Sequence, residues 1–402
     1  MQSETARKIF VTVCSAAVII AVALLIKNIF FDEPDDKEIK IGFVYVGDSS
    51  DSYTNNLIKA QNEIEKQFGE KVTIDAKFNV AQDKAGVVME HLVEEECDII
   101  FSTSYNYGET AKACAEKYPE VEFCQIGCSN ANEEPKLKNY HTFMGAVYQG
   151  RYISGVAAGM KLKELIENGS ITAEQAKIGF IGAYPYTEVI SSYTSFLLGV
   201  RSVVPEAVMT VRYTHSWANY QLEKEFAREL IDEEGCVIIS QHTDTEGPAV
   251  ACEETDRRKI VFYVSFNSDT HNVAPTTYLV GSRVNWAPYM TEAVNAVIRG
   301  RSIESCVKGN VNGNDVGAGF EKDWVQMLQL NEFTAAKGTK ERINELIRQF
   351  EQGSIMVFKG DYTGVNPNNP SDVIDLRNGY RENEKSSAPT FCYILDDVIT
   401  VK

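Results

Sequence analysis

Residues 237–244 read Val237-Ile238-Ile239-Ser240-Gln241-His242-Thr243-Asp244. The first three of these residues are apolar and β-branched, and the run is too short for a helix, so it predicts a buried strand of a parallel sheet covered on both faces. The strand then continues into polar side chains that include His242 and Asp244. Because ligands of open α/β sheets bind outside the carboxyl ends of the strands, this edge predicts part of a small-molecule site.

The pattern of a strand followed by a helix repeats along the chain on both sides of this stretch. Before Gly145 the predicted strands cover residues 39–46, 72–78, 98–103 and 121–126, and after it residues 177–182, 208–214, 237–241 and 260–265. Helical patterns of about ten to fifteen residues separate them, which indicates βαβ units and parallel sheets. Two such series in one chain predict an α/β protein with two doubly wound lobes.

Length and charge narrow the functional class. The chain has 402 residues, enough for two domains with their own cores, and 44% of them are apolar. Its formal net charge is −18. Since nucleic-acid binding needs a basic surface, this charge argues against nucleic acid as a partner and against attachment to anionic lipid by charge.

The N-terminal residues predict attachment to a membrane. Residues 9–26 contain no charged side chain and follow Arg7 and Lys8, and as a helix they would span about 27 Å, close to a bilayer core. The positive-inside rule leaves residues 1–8 in the cytoplasm and places everything after the anchor outside, beginning with an acidic linker at residues 27–38. A cleaved signal peptide is the alternative, although no small-residue cleavage site follows the run, and Cys14 lies inside it, unlike the cysteine of a lipoprotein signal.

The nine cysteines do not form the pattern of a disulfide framework or a zinc site. Disulfides would suit an extracytoplasmic domain, but thiols such as Cys97 and Cys236 fall in or beside apolar stretches, where a thiol packs as a small hydrophobic group. Cys124 and Cys128 are separated by three residues and have no His nearby. The sequence therefore predicts free buried thiols, no metal site and no cofactor.

The ends of the predicted strands share polar and aromatic side chains, and basic residues are nearly absent from them. The candidate binding residues are Asp51, Tyr53, Tyr105, Glu188, Trp217, His242, Asp244 and Asp269. No glycine-rich phosphate-binding loop follows any of these strands. Carboxylates accept hydrogen bonds from hydroxyl and amino groups, and aromatic side chains stack on flat rings. The predicted ligand is uncharged or cationic with a planar or sugar-like body: a nucleoside, a nucleobase or a monosaccharide.

Several of these candidates also have a structural explanation. Tyr53 could pack in the first turn of its helix, while Asp51 and Asp244 could cap helices. His242 could be a buried structural histidine, and the turn chemistry of its own loop could account for Asp269.

An enzyme is the other functional class that these residues allow. His242 and Asp244 could act as an acid/base pair, with Ser216 or Cys128 as the nucleophile. The sequence contains no G-x-S-x-G elbow and no H-E-x-x-H motif. Their absence favours a binding protein over an enzyme.

Seven stretches resemble the basic membrane lipoprotein family in their order and spacing. They begin at Ile41 (IGFVYVG), Ile100 (IFSTSY), Tyr148 (YQGRYISG), Tyr184 (YPYTEVI), Ser216 (SW), Gln241 (QHTD) and Asn285 (NWAPY). The resemblance covers residues 39–402. The sequence departs from the family in the loop at residues 47–53, which lacks the usual extra glycine, and at Phe266, where the family usually has glycine.

The resemblance implies a fold and a domain organisation. Members of the family are substrate-binding proteins of ABC importers with the type I periplasmic-binding-protein fold, in which crossing strands join two lobes and the ligand lies in the cleft between them. Residues 39–145 with about 283–302 would form the first lobe, and residues 146–282 with about 303–353 the second. Residues 354–402 would be a turn-rich segment that completes the fold.

The resemblance also implies a function. Members bind purine nucleosides or bases, usually sandwiched between two aromatic side chains that correspond here to Tyr53 and Trp217. The acidic and polar cleft positions correspond to Asp51, Tyr105, Glu188, His242, Asp244 and Asp269. We therefore expect a monomeric binding protein on the extracytoplasmic face of a bacterial membrane that closes on its ligand and delivers it to an ABC permease. A membrane-tethered sensor of the same fold and a nucleoside hydrolase are the alternatives.

Overall fold

The computed structural model describes residues 37–402, so the predicted membrane segment at residues 9–26 lies outside the described residues. The first series of elements runs through β1 (Ile39–Val44), α1 (Ser52–Phe68), β2 (Val72–Lys77), α2 (Ala85–Glu94), β3 (Ile99–Ser102), α3 (Gly108–Lys117), β4 (Glu122–Ile126) and β5 (Tyr140–Gly145). Between residues 37 and 402 no helix is both long enough and apolar enough to cross a membrane.

The second series has the same alternation. It runs through α4 (Val147–Glu167), β6 (Lys177–Gly182), α5 (Thr187–Arg201), β7 (Val208–Tyr213), α6 (Tyr220–Asp232), β8 (Ile238–His242), α7 (Gly247–Glu253), β9 (Phe262–Phe266) and β10 (Tyr278–Val284). The chain continues through α8 (Ala287–Ile298), α9 (Ile303–Cys306), β11 (Asn310–Asn312), β12 (Asp315–Ala318), β13 (Val325–Met327) and α10 (Thr339–Glu351). It ends with β14 (Thr363–Asn366), β15 (Asn369–Asp375), β16 (Ile394–Leu395) and β17 (Ile399–Val401).

The strands form two seven-stranded sheets, one in each lobe. Their orders are β11-β12-β5-β4-β3-β1-β2 and β13-β10-β9-β8-β6-β7-β17. All neighbours pair in parallel except β11 with β12 and β10 with β13. Because alternate residues of a strand point to opposite faces, Phe43 packs in the core that includes α1 and α8, while its neighbour Val44 packs with α2 and α3. The prediction of two doubly wound lobes is confirmed.

The chain crosses between the lobes at three places: between β5 and α4, between β10 and α8, and between β12 and β13. The third crossing corrects the predicted boundary at about residue 303. The strands β11 and β12 belong to the first sheet because β12 pairs with β5, with Asp315 opposite Thr142. Lobe membership of these short strands is set by pairing with a distant strand, which local sequence does not encode.

The last residues of the chain add to the second lobe. The strands β14, β15 and β16 form a small antiparallel sheet, and β17 extends the second large sheet by pairing with β7. Leu376, Phe391 and Leu395 are buried in the core of that lobe. Residues 354–402 are therefore an integral part of the described fold.

Helices α4 and α5 pack at unusually short range. A Cβ placed on Gly155 would lie 2.0 Å from the carbonyl oxygen of Phe196, and one on Gly199 would lie 2.2 Å from that of Tyr152. Only glycine permits this approach of two helix backbones. The Gly- and Ala-rich composition of residues 151–166 serves this contact, which holds the helix that follows the first crossing firmly in the second lobe.

Candidate functional site

The largest concentration of predicted site residues surrounds a cavity between the two lobes, at the carboxyl ends of the parallel strands. About 680 Å³ of space lies within the cavity and its mouth, solvent that is open to the outside included. It is lined by Val46, Tyr53, Thr103, Ser104, Tyr105, Ile126, Gly127, Met144, Val147, Glu188, Trp217, His242, Asp244, Phe266, Asn267, Val284 and Trp286.

The first lobe contributes Tyr53 from the first turn of α1. The helix begins there because the Asp51 carboxylate accepts a hydrogen bond from the backbone N–H of Thr54 at 2.6 Å. The Tyr53 hydroxyl donates to the carbonyl oxygen of Thr103 at 2.5 Å, and its ring meets the Trp286 ring edge to face. Loss of water around the phenol, followed by the nearby carboxylates, raises the pKa of Tyr53 well above its usual value. Tyr53 therefore presents to the cavity an uncharged ring that is held in one orientation.

The second lobe contributes a carboxylate and a histidine that lie side by side. Glu188 stands in the first turn of α5, after β6, where a helix N-terminus favours a negative charge. His242 ends β8, and its Nε2 lies 3.4 Å from Oε1 of Glu188. The rings of Phe266 and Trp217 flank the imidazole at centroid distances of 4.6 and 6.2 Å. The rings of His242, Phe266 and Trp217 thus form an aromatic wall of the cavity, and the Glu188 carboxylate lies at its edge.

Asp244 is the second carboxylate of the cavity. Its backbone N–H donates to the carbonyl oxygen of Trp217 at 2.8 Å, which fixes the two loops against each other. Loss of water, together with Asp51, Glu223 and Glu188, raises the pKa of Asp244 well above its usual value. Such a group gains most from a ligand that donates hydrogen bonds or carries positive charge.

Three buried polar atoms around the cavity have no hydrogen-bond partner within the described residues. They are Nδ1 of His242, Oδ1 of Asn267 and Nε1 of Trp286. Buried polar atoms are almost always hydrogen-bonded, because an unmade bond costs about 1–3 kcal/mol. A bound molecule with both donors and acceptors would satisfy them. Phe266, Asn267 and Trp286 were not among the predicted site residues.

The two walls touch across the cleft. The backbone N–H of Ser52 in the first lobe donates to the carbonyl oxygen of Asp244 in the second at 3.0 Å, and its hydroxyl lies 3.5 Å from Oδ1 of the same residue. At the mouth the rings of Tyr105 and Tyr186 approach to 6.2 Å. The two lobes are thus in direct contact at the cleft in the described conformation.

Six of the eight predicted residues line the cavity, and two do not. Asp51 caps α1 and also accepts from the backbone N–H of Asp48, so its oxygens are engaged locally. Asp269 accepts from the backbone N–H of His271 in a turn at the surface. Both side chains have the structural roles that their sequence context allowed.

The residues proposed for catalysis do not assemble into a nucleophilic site. The hydroxyl of Ser216 donates to the carbonyl oxygen of Ala218, and Sγ of Cys128 donates to that of Tyr105. Burial raises the pKa of Cys128 to about 12, so its thiol stays protonated. Within residues 37–402 no cluster of His, Cys, Asp and Glu could hold a metal ion, and the eight cysteines are free thiols.

Comparisons with known proteins agree with this geometry. A purine-binding protein of Brucella abortus (strain 2308) is 30% identical over 267 residues, which cover 66% of this chain and 70% of that protein. A Haloferax volcanii protein, named provisionally as an ABC transporter glucose-binding protein, is 26% identical over 290 residues, which cover 71% of this chain and 66% of that protein. The solved structure of an ABC transporter solute-binding protein from Aeropyrum pernix K1 superposes with a TM-score of 0.65 at 14% identity, covering 79% of this chain and 92% of that one, and so shares the fold.

The sequence model of one family extends over most of the chain. It is described as ABC transporter substrate-binding protein PnrA-like, abbreviated Bmp, and it matches residues 38–356. Its members bind substrates and are not enzymes. This chain belongs to the PnrA-like family of ABC transporter substrate-binding proteins.

Proposed function

We propose that the cleft binds a purine nucleoside or nucleobase and that the two lobes close over it before it passes to an ABC permease. The observation that carries the proposal is the composition of the cavity: aromatic rings from both lobes and two carboxylates, with no Lys or Arg among the lining residues that the structure describes. A phosphorylated or carboxylated solute would favour such a cation, and the carboxylates of Glu188 and Asp244 would repel it.

The rings favour a flat ligand. Tyr53 is held by its bond to Thr103, and Trp217 by the bond from Asp244 to its backbone. Stacking of a base on an aromatic side chain contributes about 1–3 kcal/mol. We propose Tyr53 and Trp217 as the two stacking residues, with Phe266 behind the imidazole of His242. Tyr105 at the mouth would cover the ligand.

The polar groups favour a ligand rich in hydrogen-bond donors. Glu188, Asp244 and the Asn267 amide oxygen are acceptors, and the Trp286 indole N–H is a donor. Amino groups of a base and hydroxyl groups of a ribose would match this set. The name of the Brucella abortus relative, a purine-binding protein, supports the same ligand class. Asp51 and Asp269 stand outside the cavity and would act only through the shape of their loops.

The experiment is native mass spectrometry of the full chain purified without added ligand, followed by denaturation and identification of the released molecule. We expect a purine nucleoside or base. Protein with Trp217→Ala, purified in parallel, should release less of the same molecule. Calorimetry with adenosine, guanosine, adenine and glucose then compares affinities, and a cavity that holds a sugar and takes no purine overturns the proposal.

We also propose the cellular setting. The protein would act as a monomer on the extracytoplasmic face of a bacterial membrane, tethered by residues 9–26, with a permease as its partner. Deletion of the gene should abolish uptake of the ligand. Intact uptake together with altered gene expression would favour the tethered sensor instead, and release of free base from bound nucleoside over hours would favour the hydrolase.

A further inference from the structure

A segment near the C-terminus bonds to both lobes. Residues 357–402 lie outside the residues that the family matches, which end at residue 356. Within them, residues 380–391, which we name the strap, leave the second lobe, reach the first and return. The two ends of the strap are anchored in the second lobe, because the rings of Tyr380 and Phe391 pack against each other and the Phe391 ring stacks on Phe358 at a centroid distance of 4.2 Å.

The anchor in the second lobe is a buried carboxylate. Oε1 of Glu382 accepts hydrogen bonds from the hydroxyl of Ser191 on α5 at 2.8 Å and from the backbone N–H of Thr390. Its other oxygen accepts from the hydroxyl of Thr390 and from the backbone N–H of Phe391 at 2.8 Å. Both oxygens are therefore satisfied, and the strap is fixed to α5.

The anchor in the first lobe is a second buried carboxylate. Asp315 on β12 accepts from the backbone N–H and from the hydroxyl of Ser387, each at 2.6 Å, and from the hydroxyl of Thr142 on β5 at 2.7 Å. The side-chain amide of Asn312 on β11 donates to the carbonyl oxygen of Lys385 at 2.7 Å. Hydrogen bonds to a charged group contribute about 1.5–3 kcal/mol, so this contact is a strong one.

The connection between the two anchors is short and stiff. Asn383 adopts a left-handed backbone with φ 59°, and its amide nitrogen donates to the carbonyl oxygens of Ser386, Ser387 and Ala388. These bonds close the turn between Glu382 and Ser387. A movement of one anchor is therefore transmitted to the other rather than absorbed by the connection.

The strap lies beside the crossings about which the lobes would rotate. Ser387 packs on Gly317, next to the third crossing, with its Cβ 3.0 Å from where a Cβ of Gly317 would stand. Tyr148, just after the first crossing, packs on Phe358 beneath the strap at 5.8 Å. Rotation of the first lobe away from the second would pull Asp315 away from Ser387.

We propose that the strap restrains opening and raises the population of the closed cleft, in which Ser52 bonds to Asp244. This goes beyond the ligand proposed above and does not depend on it. Since apparent affinity scales with the fraction of molecules in the binding-competent state, a restraint on opening also raises affinity. The strap is thus a positioning element beside the first and third crossings.

The test slackens the strap while keeping both of its anchors. Four residues, Gly-Ser-Gly-Ser, are inserted between Glu384 and Lys385 in the full chain, and hydrogen exchange is followed by mass spectrometry without ligand. The reporter is the peptide that contains Ser52, whose N–H is bonded to Asp244 across the cleft. We expect this peptide to exchange roughly threefold faster or more, because the closed state is less populated.

The matched control carries the same insertion between Asn368 and Asn369, at the turn from β14 to β15, which does not join the lobes. Its Ser52 peptide should exchange as in the unmodified chain. Equal exchange of that peptide in both insertions, or no change in either, overturns the proposal.

If the strap insertion also speeds hydrogen exchange in the core strands β6 and β8, two single substitutions provide a milder test of the restraint. Ser387→Ala removes the hydroxyl bond to Asp315, whereas Ser371→Ala removes one that stays within its own hairpin, to Asn369. Faster exchange at Ser52 in Ser387→Ala alone supports the restraint. The same exchange in both variants contradicts it.

Discussion

The two walls of the cleft differ in charge. The first lobe lines the cavity with uncharged side chains: Val46, Tyr53, Thr103, Ser104, Tyr105, Ile126 and Met144, together with the backbone of Gly127. The second lobe brings Glu188, Trp217, His242, Asp244, Phe266 and Asn267. Both carboxylates of the cavity thus come from one wall, and the opposing wall offers rings, hydroxyls and apolar surface.

The first lobe keeps a buried charged cluster at the other end of its sheet. His141 on β5 lies between Glu122 at the start of β4, 2.8 Å away, and Glu304 on α9 at 2.5 Å. These residues stand at the amino ends of the strands, away from the cleft. We therefore expect the second lobe to select a ligand by its polar groups and the first lobe to cover it.

The largest expected effect is on affinity, from loss of a ring in the second wall. Trp217→Ala should weaken ligand binding by about 2–3 kcal/mol, or roughly 30- to 150-fold in Kd, because stacking area is lost in a desolvated site. Calorimetry with the ligand identified from the purified protein measures it. The control is Phe333→Ala in the same lobe, whose ring is 86% exposed outside the cleft. Unchanged affinity in Trp217→Ala would remove this residue from the site.

The charged cluster of the first lobe should affect stability and not binding. Burial by itself would lower the pKa of His141, but the hydrogen bonds with Glu122 and Glu304 outweigh it and raise the pKa to about 9. Because the folded-state pKa lies above the ordinary 6.5, this contribution is fully present below about pH 6.5 and is lost as the pH rises through about 9.

The expected loss is on the order of 2 kcal/mol of unfolding free energy, measured by urea denaturation between pH 6.5 and 10. His141→Gln should be less stable at pH 6.5 and should lack this part of the pH dependence. Ligand affinity at pH 7 should be the same in both proteins. A steeper pH dependence in the variant would contradict the assignment.

A smaller effect on stability is expected at Asp244, where a substitution should raise the free energy of unfolding rather than lower it. Loss of water around its carboxyl group, followed by the acidic groups nearby, raises its pKa, so that the ligand-free fold holds the charged form less favourably than water does. Asp244→Asn should therefore stabilise the ligand-free protein by about 1 kcal/mol and at the same time weaken ligand binding.

Asp269→Asn is the matched control for Asp244→Asn, because it removes an acidic group of the same lobe that lies outside the cavity. The melting temperature of Asp269→Asn without ligand and its ligand affinity by calorimetry should both be close to those of the unmodified protein. If Asp244→Asn lowers stability as well as affinity, Asp244 holds the loop rather than the ligand.

Much of the second wall could be predicted from the sequence. Glu188, His242 and Asp244 each follow a strand with a clear apolar pattern, and the carboxyl ends of parallel strands meet at one edge. Phe266, Asn267 and Trp286 were missed. Phe266 lies one residue beyond the predicted strand at residues 260–265, at a position where the resembled family usually has glycine. Trp286 belongs to a crossing that the sequence places only through its resemblance to a family.

The amino-acid sequence alone predicts the alternation of strands and helices, the two lobes and the edge where polar residues collect, because these follow from side-chain periods of 2 and 3.6 residues. The packing of the folded chain, by contrast, leaves Asp51 and Asp269 outside the cavity, places β12 in the first sheet, and brings Asp315 to Ser387, 72 positions further along the chain. The physical reason is that these outcomes depend on which distant groups meet, and a local pattern carries no information about a partner so far along the chain.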